Sequence, residues 1–134
     1  MEKITFKNGQ APYINDTNLN QMQNNIEKEF EIERINITLS DDVESGQICC
    51  LRCGKVVIVE VSDLKLKTDK SEWETIIAYG LPKQSNKYNT WIKSILYEGK
   101  GVIYTGDNVL TVSERTGKQI ASSIYIGQLI YLTD

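Results

Sequence analysis

The stretch that decides the fold is Gln47-Ile48-Cys49-Cys50-Leu51-Arg52-Cys53, then Gly54, then Lys55-Val56-Val57-Ile58-Val59-Glu60-Val61. Valine, isoleucine and leucine suit a pleated surface that is at least half buried. Gly54 supplies the positive φ of a tight turn between two strands. The reading is a β-hairpin. On its first arm Cys49 and Cys53 share a face with Leu51, and Cys50 faces the other way.

Toward the N-terminus, Ser40-Asp41-Asp42-Val43-Glu44-Ser45-Gly46 reads as a loop whose acids are solvated. Before it, Ile35-Asn36-Ile37-Thr38-Leu39 alternates with period two and predicts another strand. Further back the period changes. Leu19, Met22 and Ile26 follow one another at spacings of three and four, Phe30 extends the series, and Asn, Gln, Glu and Lys fill the other positions. This is a helix with a narrow a/d-type seam, and Asn15 or Asp16 is its N-cap. An isolated helix of this length is marginal in water. It needs partners, either two further copies of the chain or the chain's own β-rich region. Residues 1–14 read as an extended arm ending in a turn.

Toward the C-terminus, Leu64-Lys65-Leu66-Lys67 alternates, and its lysines fit a guarded strand edge. Further strands are expected at Trp73 to Tyr79, Trp91 to Tyr97, Gly101 to Tyr104, Asn108 to Glu114 and Gln119 to Leu132. Gly80-Leu81-Pro82, Glu98-Gly99-Lys100-Gly101, Thr105-Gly106-Asp107-Asn108 and Arg115-Thr116-Gly117-Lys118 punctuate them. Short strands with such regular breaks predict a mainly β chain. An N-terminal α-helix precedes an antiparallel β-sandwich, jelly-roll-like, with an arm and helix over 1–34 and a head over 35–134.

Composition narrows the function. The 134 residues carry 15 Lys+Arg against 18 Asp+Glu, a net charge of −3, which is not the basic excess of a nucleic-acid binder. No histidine is present, so the commonest general base and transition-metal ligand is missing. The longest apolar run, Val56 to Val59, is far too short to span a bilayer, and no signal peptide is expected. Three cysteines so close together do not suit a disulfide framework, and no further ligands accompany Cys50-Leu51-Arg52-Cys53 to hold zinc. They read as free thiols of a protein made in a reducing compartment. No metal, cofactor or catalytic residue is expected.

One segment carries a resemblance. Ile14-Asn15-Asp16-Thr17-Asn18-Leu19-Asn20, with Ile26, resembles the Ile-Asn-x-x-Asn-Leu-Asn segment near the N-terminus of many tail fibre and receptor-binding proteins of bacteriophages and phage-tail-like particles. It departs from that pattern at Asp16, where alanine is usual, and at Gln23 and Asn25, where glutamate and glycine are common. Trp73 through Gly80-Leu81-Pro82, and later Gly99-Lys100-Gly101-Val102-Ile103, look like the β-sandwich head of such fibres. The resemblance implies a non-enzymatic homotrimer held by Leu19, Met22 and Ile26. It would sit in the virion tail after assembly in the bacterial cytoplasm, contact other tail or baseplate proteins, and bind a cell-surface saccharide or cell-wall polymer. A baseplate or fibre-junction protein, and a small carbohydrate-binding domain unrelated to phage, stand as alternatives.

A saccharide contact needs aromatic faces for the C–H side of a sugar ring and amides for its hydroxyls. The loop from Gln84 to Trp91 offers both, in Asn86, Tyr88, Asn89 and Trp91, with Tyr97 as a further candidate. Trp91 and Trp73 also fit strand positions pointing into the core, and for both the sequence favours that position.

Overall fold

The structure, a computed structural model, describes residues 19–23, 31–87 and 93–134. Nine strands lie among the described residues: β1 Ile32–Ile35, β2 Thr38–Leu39, β3 Val43–Cys53, β4 Val56–Leu66, β5 Thr75–Tyr79, β6 Lys93–Ile95, β7 Gly101–Gly106, β8 Val109–Glu114 and β9 Tyr125–Leu132. They form two antiparallel sheets, ordered β1-β3-β4-β9 and β2-β5-β8-β7-β6. The chain crosses between the sheets at β1–β2, β2–β3, β4–β5 and β8–β9, so each sheet is completed by distant sequence.

The hairpin forms as expected. Cys53 pairs with Val56 and Gly54 has φ 58°. Every second residue of β4 then enters the core, with Val57, Val59 and Val61 all essentially inaccessible. Strict alternation would next send Leu64 and Leu66 outward with Ser62. Asp63 instead takes φ 49° and the register shifts between Val61 and Leu64, which keeps Leu64 and Leu66 inside. Such a bulge adds one residue and restores the apolar phase. β5 does the same between Ile76 and Ala78, so that Ile77 and Ala78 are both buried. From the other sheet Ile103, Leu110 and Val112 meet this layer, and a single core cluster spans both. Two antiparallel sheets sharing one apolar interior make a sandwich-like body.

Several expectations shift. Leu64 to Leu66 is the end of β4: β3 pairs along it, with Ser45 opposite Lys65 and Val43 opposite Leu66, while β9 reaches only Leu64. Ser40 to Gly46 is only partly loop, since β3 begins at Val43 and reaches Gln47 through two register shifts. Gly46 makes this possible. A Cβ there would stand 2.5 Å from Leu64 Cα. Of its acids, Asp42 pairs with Lys70 at 2.8 Å. The strand expected from Gln119 begins at Tyr125, and the one expected from Trp73 begins at Thr75. β1 pairs with β3 throughout, so the head starts three residues before the boundary drawn at 35.

Helix is described for residues 19–23, with Leu19 exposed and Met22 half-buried. Ile26 and Phe30, the cap at Asn15 or Asp16, and the arm over 1–14 lie outside the described residues.

Candidate functional site: an indole-lined cleft at one end of the sandwich

At the end of the sandwich where β6 turns into β7, a short 3-10 turn, Tyr97–Gly99, leads to Gly101. Glu98 and Gly99 have φ of 61° and 66°, which reverses the chain within three residues. The Leu96 N–H donates to the Gly101 carbonyl (2.8 Å), and the Arg115 N–H donates to the Lys100 carbonyl (2.6 Å). Gly101 lies opposite Glu114, and a Cβ on it would stand 2.1 Å from the Ser113 carbonyl oxygen. Only glycine lets β7 approach β8 this closely.

Trp73 stands beside this turn, just before β5. Its carbonyl accepts from the Ser113 hydroxyl (2.7 Å) and from Nε2–H of Gln119 (3.1 Å). Gln119 is fully buried, and its Oε1 accepts from the Thr75 hydroxyl (2.7 Å). The Gln119 backbone pairs with Lys70 in both directions. The backbone on either side of Trp73 is therefore pinned, yet the residue is 76 % exposed. The indole rests on Gly117, where a Cβ would lie 3.0 Å from ring carbon Cζ3. The core position expected for Trp73 is thus corrected. Its neighbours Glu72 and Glu74 are both exposed, and the strand phase begins only at Thr75.

Beneath the surface lies Glu114, buried at the end of β8. Its Oε2 accepts from the Tyr125 hydroxyl (2.5 Å) and from the Ile120 N–H (3.2 Å). Burial first, and then this carboxylate, push the Tyr125 phenol well above its ordinary range. The carboxylate thus fastens the segment between β8 and β9. Above it opens a cleft of about 370 Å³, lined by Trp73, Gly99, Gly101, Val102, Ser113, Glu114 and Arg115. Arg115 is exposed and has no ion-pair partner among the described residues. A held indole, a hydroxyl, a guanidinium and glycine backbone can stack on a flat apolar ring face and hydrogen-bond polar groups at its rim.

The residues expected from sequence are dispersed. Asn86 is exposed in a turn directly after Ser85, whose N–H donates to the Leu132 carbonyl and whose hydroxyl donates to Asp134. That is the end of the sandwich where β9 finishes and Thr133 bonds to Lys55. Tyr97, 64 % exposed, lies at the opposite end, beside Gly99 and the cleft. The sheet registers thus separate Asn86 from Tyr97 by the length of a strand. Tyr88, Asn89 and Trp91 lie outside the described residues. Trp73 was the residue that sequence reasoning missed. The available signal was its place between two glutamates, where no core strand would put an indole.

No family model, no curated protein and no solved structure matches this chain.

Proposed function

We propose that this protein is a non-enzymatic receptor-binding component of the tail of a phage or phage-tail-like particle, which adheres as a homotrimer to a host-surface saccharide or cell-wall polymer. The N-terminal helix segment associates through Leu19, Met22 and Ile26, and a jelly-roll-like head presents the contact. The observation that carries the adhesion reading is the exposed Trp73 indole, fixed through its carbonyl and seated on Gly117. A solvent-facing indole gives up apolar burial, and a rigid aromatic platform is what a pyranose C–H face stacks on. Tyr97 and Arg115 add a phenol and a cation at the same end.

One stacked ring contributes about 1 kcal/mol beyond its buried area, so a single head binds weakly, with Kd on the order of 1 mM. Three heads on one stalk raise avidity by roughly 10²–10⁴ through effective concentration. The test is binding of the purified full chain to an array of bacterial glycans and cell-wall polymers. Trp73→Ala should lose the signal. The Asn86→Ala variant reports on the opposite end of the head. Full binding by Trp73→Ala would remove the cleft from the reading. An empty array with an intact oligomer would favour a structural junction protein.

A further inference from the structure

The outer face of the β1-β3-β4-β9 sheet is as apolar as many interiors. Register places Ile32, Cys53, Val56 and Leu132 on one rung, and Arg34, Leu51, Ile58 and Ile130 on the next. All eight point away from the core, because their neighbours Cys50, Val57, Val59 and Tyr131 point into it. Ile32 is 67 % exposed and Ile130 50 % exposed. An ordinary solvated antiparallel sheet is polar on its outer face. Here Arg34 on edge strand β1 is the one charged residue of these two rungs, and the other polar positions come a rung later, at Glu60 and Gln128 beside Cys49.

We propose that this face is the surface through which the heads of neighbouring copies of this chain pack against one another. The proposal rests on the oligomeric reading above and adds the surface. Three features select a second copy as the occupant. Charge is the first. Arg34 on edge strand β1 and Glu60 on inner strand β4 are both exposed and have no ion-pair partner among the described residues. A cyclic assembly sets one side of a face against the other side of the next copy's face, which brings unlike charges together. The second is position. Ile32 lies only two residues beyond Phe30, the last residue of the expected helix seam, so whatever gathers the helices also gathers the β1 side of this face. The third is size. Strands about 4.8 Å apart and rungs about 6.8 Å apart give the two-rung patch about 260 Å². A free-standing interface buries about 800 Å² per partner. The patch suits copies already tethered to one another, for which effective concentration supplies the rest.

The face carries its own reporters. Cys49 and Cys53 are half-buried on it, while Cys50 is in the core. The test combines sedimentation equilibrium with the rate of thiol labelling by a maleimide, on the native full chain and on the Ile58→Glu/Ile130→Glu variant. Both substituted positions face outward, and circular dichroism checks that the variant folds. The expected result is an oligomeric parent whose Cys49 and Cys53 react at least about tenfold more slowly than in the variant, since thiol reactivity requires access. An oligomer whose two thiols react as fast as the variant's would overturn the head–head surface and leave the oligomeric reading standing. A monomer with slow thiols would overturn both and assign the face to the chain's own N-terminal segment. A monomer with fast thiols would overturn both and leave the face open.

Discussion

Single residues fix the geometry of the candidate site through what they lack. Gly117 has φ +79° and sits against the Trp73 ring. Gly117→Ala should cost about 1 kcal/mol for the left-handed backbone and should also lift the indole from its seat. In a Trp91→Phe background the Trp73 emission should shift. An unchanged spectrum would show that the ring does not depend on this contact. Protonation gives a second prediction at this scale. Burial, with Cys49 adding to it, pushes the Cys50 thiol up to about 11 from its ordinary 9.0, and burial raises Tyr125 and Tyr131 as well. A group whose folded pKa is raised holds its proton more tightly in the folded state. The stability it contributes is complete below the unfolded pKa and falls as pH climbs toward the folded one. Urea midpoints should therefore decline from about pH 9 to pH 11, and Cys50→Ala should flatten that decline. A midpoint independent of pH in the parent would contradict it. Glu72 and Glu74 were the one local sign that Trp73 is exposed, and the strand boundary that makes it so was not legible. An aromatic beside a strand is buried or not according to where the strand phase begins, and that was set by Thr75 pairing with Val112.

At the scale of elements, the β3–β4 hairpin organises its sheet. Its turn and its alternation were legible, because both are local properties of Gly54 and of the valines that follow. Its bulges were not. Gly46 and Asp63 distort β3 and β4 opposite each other, and each distortion makes sense only with the partner strand present. Gly46→Ala should destabilise the fold by more than about 2 kcal/mol, since the new Cβ meets Leu64 backbone and φ is +109°. Chemical denaturation measures this, and a loss under about 0.5 kcal/mol would mean that the bulge can open freely. Lys65 shows the same limit from the other side. Its alternating lysines suggested an edge, and whether they lie on one depends on how far β9, which arrives some sixty residues later, extends: its pairing stops at Leu64, one residue short of Lys65.

For the whole molecule, the proposed association separates into a helical part and a head part. Leu19→Asp together with Ile26→Asp should disperse the oligomer, because carboxylates facing one another across a seam lose hydration and repel. The head should keep its β circular dichroism, since among the described residues its core draws on both sheets and on none before Ile35. Sedimentation equilibrium reads the first outcome, and an unchanged mass would place the association elsewhere. Sequence by itself determined the β class, the central hairpin and the free thiols. Those follow from the residue types within a few positions of one another. Tertiary structure alone decided which strands are edges, that Asn86 and Tyr97 lie at opposite ends, that Trp73 faces solvent, and that one sheet turns an apolar face outward. Each of these depends on pairing between segments far apart in the chain, and local periodicity carries no record of which distant strand will cover a given face.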